Sequence, residues 1–193
     1  IEKGIGVKCL DLDVSSNPGR KMADTLREFK PDFICFSLST PLFNECCEFA
    51  KFIKEKSPNT KIIAGGVHGS IYPKEILEKS DVDIVVMGEG DFVLPELVLS
   101  EDFSNIKGIA FRKDGEIVIH PRRPLIEDLD TIPMPAWNLF DIKEYQMPRL
   151  MTRRNPVGTV ETSRGCLAGC TYCNKSIFGR TWRSKSAKRT VDE

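Results

Sequence analysis

The sequence predicts an α/β fold with a doubly wound parallel sheet over the first half of the chain. Short apolar segments alternate with amphipathic segments from Ile1 to about Leu99. The run Phe33–Leu38 is almost entirely apolar, as expected for a strand that is covered on both faces. A β-α-β-α order of this kind requires right-handed crossovers between parallel strands. We therefore expect helices packed against a sheet whose strands run in one direction.

The first elements have clear local signals. Val7–Leu12 is an apolar segment that predicts a strand. Met22, Leu26 and Phe29 follow with i, i+4, i+7 spacing, which places them on one face of a helix. Pro31 then ends that helix, because proline cannot continue it.

The later elements follow the same alternation. Pro73 suits the first turn of a short helix, and Asp91 suits the capping position of another. The predicted elements after Phe33–Leu38 are a helix at about 44–56, a strand at 61–64, a helix at 73–79, a strand at 83–87 and a helix ending at Leu99.

The second half of the chain is organised differently. Residues 108–120 predict a β-hairpin around an Asp114-Gly115 turn. The stretch 121–156 holds six of the twelve prolines, which predicts a stiff and largely extended connector. Val157–Thr162 then predicts a strand, and Lys185–Glu193 predicts the start of a helix.

Composition limits the class of protein. The 193 residues suffice for one domain and part of another, and a hydrophobic content of 40% is that of a globular protein. The formal net charge of +0 gives no reason to expect nucleic acid as a partner. No apolar run approaches the roughly 20 residues of a transmembrane helix, and no signal peptide opens the chain. We therefore expect a cytoplasmic protein and, since Ile1 begins in mid-pattern, a fragment of a longer one.

Three cysteines near the end of the chain carry the strongest chemical signal. Cys166, Cys170 and Cys173 have C-x3-C-x2-C spacing, which brings three thiolates onto one tight loop. Such a loop is typical of a single iron–sulfur cluster. Three ligands for four irons leave one iron open to a small molecule.

Two other interpretations of these cysteines remain. A structural zinc ion normally takes four protein ligands, but no Cys or His follows Cys173, and the chain's histidines are His68 and His120. Disulfides suit an odd and tightly clustered set poorly. The alternatives to a cluster are therefore zinc or unliganded thiols.

The cysteine motif, with Tyr172 before its third cysteine, resembles that of radical S-adenosylmethionine (radical SAM) enzymes. The resemblance implies that Cys166, Cys170 and Cys173 hold a [4Fe-4S] cluster whose open iron binds S-adenosylmethionine, with Tyr172 beside it. In that family an electron from the cluster cleaves S-adenosylmethionine to a 5′-deoxyadenosyl radical. The resemblance also implies an electron donor such as flavodoxin or ferredoxin, and a small-molecule substrate.

The first half resembles the Rossmann-like cobalamin (B12)-binding domain that precedes the barrel of many radical SAM enzymes. The stretches that carry this likeness are 30–37, 65–70, 73–77, 83–91 and 125–136. Together with the cysteine motif, the likeness covers nearly the whole chain. It implies a cobalamin-binding-like α/β domain over 1–105, a hairpin and proline-rich linker over 106–156, and the start of a radical SAM (β/α) barrel over 157–193.

Two features depart from that family. Its first strand and its D-x-H-x-x-G loop would lie before Ile1, so we identify no axial cobalt ligand and interpret His68 as a rim or loop histidine. The later barrel strands that hold S-adenosylmethionine are also missing after Glu193. We therefore expect the chain by itself to be inactive.

The predicted cobalamin site lies at the carboxyl ends of the strands, where ligands of such sheets bind. Small polar residues follow four predicted strands, at 11–13, 37–40, 65–68 and 88–91. Glycine lets the backbone approach a flat macrocycle or its nucleotide tail, and hydroxyls suit amide or phosphate groups. The predicted cobalamin-binding residues are Ser37, Ser39, Thr40, Gly65, Gly66, Val67, Gly88, Glu89 and Gly90.

The combined features predict a cobalamin-dependent radical SAM enzyme that transfers a methyl group to an unactivated carbon or phosphorus. One alternative is a radical SAM enzyme whose first domain binds no cobalamin and recognises substrate. Another is a metal-stabilised interaction module without enzymatic activity. A methylthiotransferase needs three further cysteines for a second cluster, whereas Cys9, Cys35, Cys46 and Cys47 lie on predicted strands or on a helix face.

Overall fold

A five-stranded sheet is the centre of the computed structural model, which describes residues 4–12 and 15–193. Three strands are parallel and two form an antiparallel hairpin at one edge. In order across the sheet, the strands are β1 (Phe33–Ser37), β2 (Lys61–Gly65), β3 (Ile84–Val86), β4 (Ile109–Lys113) and β5 (Glu116–Ile119). The predicted α/β class with a mainly parallel sheet is confirmed.

The hairpin was predicted from its turn, but its place in the sheet was not. β4 pairs with β3, with Val86 opposite Ile109. Asp114 and Gly115 have φ values of 53° and 84°, the left-handed pair that a tight hairpin turn requires. The hairpin is therefore the antiparallel edge of the same sheet, rather than a separate element of the connector.

Six helices accompany the strands within the described residues. They are α1 (Pro18–Phe29), α2 (Phe43–Lys56), α3 (Gly66–Ile71), α4 (Pro73–Lys79), α5 (Val93–Leu99) and α6 (Ala187–Asp192). α4 has the predicted bounds, and Pro73 occupies its first turn. α5 begins one residue after the capping residue Phe92, so Asp91 does not cap it as predicted. α3 was not predicted, because its glycines have low helix propensity.

The core lies on both faces of the sheet. One cluster of buried side chains joins β2 and β3 to α5, through Ile63, Val86 and Leu97 among others. Ile62 and Val85 point to the opposite face, since side chains alternate along a strand, and both are fully buried. Burial of both faces explains why these strands have nearly continuous apolar sequences.

Two predicted strands are wrong. Residues 7–12 form no strand, and they belong to a different compact unit from the sheet, so they have no place in its hydrogen-bond ladder. Residues 157–162 also form no strand. The chain pairs slightly later, where β6 (Ser163–Gly165) and β7 (Trp182–Ser184) form a separate two-stranded sheet.

The chain divides into two compact units. One consists of residues 30–127 together with 165–181, so it contains both the five-stranded sheet and the three motif cysteines. The other consists of 1–29, 128–164 and 182–193. Within the second unit the proline-rich connector forms three short 3₁₀ turns, at 129–131, 137–139 and 142–144, and is thus less extended than predicted. Along the described part of the chain, every helix is too short or too polar to cross a membrane.

Candidate functional site

The carboxyl ends of β1, β2 and β3 come together at one edge of the sheet. We call this edge the rim and define it as residues 37–40, 65–67 and 88–90. Ser37, the last residue of β1, lies opposite Gly65, the last residue of β2. The Leu38 amide donates to the Gly65 carbonyl over 3.0 Å, and the His68 amide donates to the Leu38 carbonyl over 3.0 Å. The structure therefore brings the loops that follow β1 and β2 into direct contact.

The loop that follows β3 is joined to the loop that follows β2 through Ser70, a residue that was not assigned from the sequence. The Ser70 hydroxyl donates to the Gly66 carbonyl over 2.7 Å and accepts from the Gly88 amide over 2.9 Å. Ser70 is buried in α3. One side chain thus holds both glycine loops of the rim.

Two glycines of the rim lack a Cβ for different structural reasons. Gly66 has φ +79°, and an ideal Cβ there would lie 2.8 Å from the Leu38 nitrogen and 2.9 Å from its carbonyl oxygen. The bare backbone at Gly66 is therefore needed for the contact between two loops, and not only for the approach of a ligand as the sequence suggested. Gly88 has φ +86° and no atom within 4 Å of an ideal Cβ, so its bare backbone faces open space.

Glu89 and Thr40, which were also predicted to bind cobalamin, have hydrogen-bond partners within the protein. The Glu89 carboxylate accepts a hydrogen bond from the Ile126 amide over 2.7 Å, which ties the third loop to the connector. The Thr40 hydroxyl lies 3.2 Å from His68 Nδ1. Both side chains are therefore structural in part, whatever they contribute to a ligand.

His68, which the sequence suggested to be a rim or loop histidine, is a buried residue of α3. Only 3% of its surface is exposed. Its ring packs between Phe43 and Tyr72, with ring centroids 4.7 Å and 5.2 Å away. Nε2 is buried without a hydrogen-bond partner among the described residues. The imidazole therefore lies beneath the rim and packs the turn after β1 against α3.

The strand that was predicted to lead into 11–13 is not found, because residues 7–12 form no strand. Asp11 lies in the compact unit that lacks the sheet, and its carboxylate accepts a hydrogen bond from the Tyr145 hydroxyl over 2.6 Å. Asp13 lies outside the described residues. The rim is therefore defined by the ends of three strands, β1, β2 and β3.

Cys166, Cys170 and Cys173 lie on one loop, residues 165–181, which we call the cysteine loop. All three are exposed and free of disulfides. Gly165 has φ +91°, and a Cβ there would overlap the Thr181 carbonyl, so the two ends of the loop meet. Within the loop, the Cys173 amide donates to the Cys170 carbonyl over 3.3 Å, and the Lys175 ammonium donates to the Ala168 carbonyl.

The three thiols do not converge on a single point. Among the described residues, no three His, Cys, Asp or Glu side chains are grouped as the ligands of one metal ion. The thiolates of a four-iron cluster bind different irons and therefore lie farther apart than the ligands of one ion. The donor set of three exposed thiols on one loop thus fits such a cluster. The Tyr172 ring beside them is 90% exposed.

Comparison with known proteins identifies the first half of the chain. The family model of the B12 binding domain matches residues 2–98. The chain belongs to the B12-binding domain family. This match covers the three strands and three loops that form the rim of the B12-binding domain.

Similarity to known proteins extends over most of the chain. An uncharacterised methyltransferase of Pyrococcus horikoshii is 32% identical over 178 residues, which are 89% of this chain and 38% of the relative. An anaerobic magnesium-protoporphyrin IX monomethyl ester cyclase of Cereibacter sphaeroides is 33% identical over 181 residues, which are 90% of this chain and 29% of the relative. The chain thus spans well under half the length of these relatives.

A solved structure shows the same fold. The radical S-adenosylmethionine methyltransferase TsrM from Kitasatospora setae, solved with cobalamin and a [4Fe-4S] cluster bound, superposes with a TM-score of 0.77. The match covers 100% of this chain and 40% of TsrM at 20% identity. The predicted resemblance to cobalamin-binding radical SAM enzymes is confirmed, and the three predicted cofactors are those of such enzymes.

Proposed function

We propose that this chain combines the cobalamin-binding domain and the cluster-binding loop of a radical SAM methyltransferase. Cys166, Cys170 and Cys173 are the proposed ligands of a [4Fe-4S] cluster, and Tyr172 is proposed to contact S-adenosylmethionine. The rim is the proposed cobalamin site. The proposed acceptor of the methyl group is an unactivated carbon or phosphorus of a small molecule, and the proposed electron donor is a flavodoxin or a ferredoxin.

One observation carries this proposal. The cysteine loop and the sheet that bears the rim belong to the same compact unit, residues 30–127 and 165–181. A B12-binding sheet and a three-cysteine motif therefore occur together in the chain and in one folded unit. Neither an isolated corrinoid carrier nor a zinc-stabilised module accounts for both features.

The residues of the rim and the loop fit these cofactors in different ways. At the rim, Gly88 presents bare backbone to open space, and Val67 exposes 51% of its surface next to Gly66. Such a surface suits a flat macrocycle, because backbone approaches it closely where no Cβ intervenes. In the loop, the Lys175 and Arg180 side chains lie against the backbone of residues 168–169 and leave the thiols exposed. When bound, the cluster supplies the electron that cleaves S-adenosylmethionine.

The cysteine assignment is tested by reconstituting the full-length protein anaerobically with iron and sulfide. Replacement of Cys166, Cys170 or Cys173 by Ala is expected to reduce bound iron and sulfide to background, because each thiolate holds a different iron. The matched control is Cys47→Ala, which removes a thiol from α2 and is expected to retain the cluster. A cluster that survives Cys170→Ala but not Cys47→Ala would contradict the assignment.

A second candidate function is ring formation, because three relatives are cyclases. The two functions differ in the fate of the methyl group of S-adenosylmethionine. With a labelled methyl group, methyl transfer leaves S-adenosylhomocysteine and a labelled product, whereas radical chemistry alone leaves 5′-deoxyadenosine and labelled methionine. Titration of the same protein with hydroxocobalamin separates both from a radical SAM enzyme whose first domain is empty.

A further inference from the structure

One hydrogen-bonded path leads from the rim to the cysteine loop. At the rim, the Ser70 hydroxyl joins Gly66 of the second loop to Gly88 of the third. Ser70 is 1% exposed, so these bonds are shielded from water. A displacement of either glycine loop therefore acts on Ser70 and on the end of α3.

Arg122 continues this path. One guanidinium nitrogen donates to the carbonyl of Ser70, and the other terminal nitrogen donates to the carbonyl of Ser176. Ser176 lies three residues after Cys173, and its amide donates to the Asn174 side chain over 2.9 Å. The guanidinium thus bridges the end of α3 and the turn that follows the third motif cysteine.

The bridge depends on the shape of arginine. A guanidinium is a planar fork that directs several N–H groups at fixed angles, so it holds two carbonyl oxygens in one geometry. A lysine ammonium is a single point charge on a flexible stem and fixes no such angle. Both acceptors are main-chain carbonyls, so the bridge fixes the position of the backbone at each end.

We propose that Arg122 is a positioning residue that couples the rim to the cysteine loop. Corrinoid bound at the rim and cluster bound in the loop change each other's affinity through Ser70, Arg122 and Ser176. This inference rests on the proposed function, because it requires both cofactors to bind. Coupling of this kind is reciprocal: the factor by which the cluster changes corrinoid affinity equals the factor by which corrinoid changes cluster affinity.

The test compares the hydroxocobalamin Kd of the full-length protein before and after reconstitution of its cluster. In the wild type the two Kd values are expected to differ by roughly fivefold or more. In Arg122→Met the ratio is expected to fall to about one, because the bridge between the rim and the loop is lost. The matched control is Arg123→Met: the adjacent arginine pairs with Glu96, and its loss is expected to leave the ratio unchanged.

Three outcomes would overturn the coupling. They are a ratio of about one in the wild type, an unchanged ratio in Arg122→Met, and an equal loss of the ratio in Arg123→Met. Circular dichroism checks the fold of each variant, and Arg122→Lys replaces Arg122→Met if the latter does not fold, with the same loss of ratio expected. A wild type that binds neither cofactor would contradict the proposed function itself, whereas binding of both without coupling contradicts only the role of Arg122.

Discussion

Val67 is the rim residue that offers the simplest way to block a ligand. It lies in the first turn of α3 and exposes 51% of its surface, beside the glycine loops. Since about half of Val67 already faces solvent, a larger side chain there can extend outward from the rim. Substitutions at such exposed positions usually change stability by no more than about 0.5 kcal/mol.

Val67→Trp is therefore expected to weaken hydroxocobalamin binding by roughly tenfold, equivalent to about 1.4 kcal/mol, because the indole occupies the proposed corrinoid surface. Equilibrium titration of the full-length protein measures the Kd. Leu99→Trp provides the control, since Leu99 is also exposed but ends α5, whereas Val67 lies in the first turn of α3 at the rim. An unchanged Kd in Val67→Trp would show that corrinoid does not bind at this part of the rim.

At the scale of elements, the junction between β2 and α3 has the tightest backbone contact of the rim. Gly65 ends the strand and Gly66 begins the helix, with the Leu38 backbone where a Cβ of Gly66 would be. The left-handed φ of +79° adds a second restriction. A substitution at Gly66 therefore disturbs the fold of two loops at once, and is a poor test of ligand binding.

Gly66→Ala is expected to lower the free energy of unfolding by about 2–3 kcal/mol, through backbone overlap and left-handed strain together. Gly88→Ala isolates the strain, because Gly88 has φ +86° but open space around a Cβ, and should lose only about 1 kcal/mol. Urea unfolding of both variants gives the comparison. Equal losses would mean that the Leu38 backbone moves away without cost.

The elements that sequence predicted well are those whose signal is local. Pro73 and the following amphipathic residues define α4, and uninterrupted apolar runs define β1 and β2. Val157–Thr162 has the composition of a strand, but pairing decides which residues become one, and the partner Trp182–Ser184 lies opposite the residues that follow it. α3 was missed because its stability comes from packing against β3 and not from propensity.

The candidate site also has features that the sequence predicted and features that only the structure shows. The cysteine motif is contiguous, so its spacing alone indicated a cluster. Ser70 and Arg122 act on partners up to 54 residues away along the chain, and no sequence pattern reports such contacts. The glycines at 65–66 and 88–90 were found as a pattern, but only the structure separates Gly66, which contacts Leu38, from Gly88, which faces open space.

At the scale of the whole molecule, the beginning of the chain is joined to a residue far along it. The Tyr145 hydroxyl donates to the Asp11 carboxylate, 134 residues away in sequence, over 2.6 Å. Both residues belong to the unit that lacks the five-stranded sheet. The hydrogen bond to Asp11, followed by partial burial and the negative charge of Asp11, raises the pKa of Tyr145 to about 12.

This pKa predicts a loss of stability at high pH. The folded protein holds the Tyr145 proton more tightly than the unfolded chain, where the pKa is near the ordinary value of 10.0. The stabilisation of the folded state by the Tyr145–Asp11 hydrogen bond is therefore complete below about pH 10, and it is lost as the pH rises toward about 12. Tyr145→Phe cannot show this loss, because it has no hydroxyl to ionise.

Urea unfolding at a series of pH values, compared between the wild type and Tyr145→Phe, measures this contribution. The difference in free energy of unfolding is expected to shrink between about pH 10 and about pH 12. Tyr172→Phe is the control, since it removes an exposed hydroxyl and should leave the wild-type pH dependence in place. A difference that stays constant across this range would disprove the effect of Asp11.

The meeting of Gly165 and Thr181 also affects the entropy of cofactor assembly. Because the two ends of the cysteine loop are already in contact, the chain loses its loop-closure entropy when the protein folds, before any iron arrives. Ligation then orders only the residues between these ends. The entropy lost on ligation is therefore that of a closed loop, which Arg122 also fixes at the Ser176 carbonyl, and not that of a free segment.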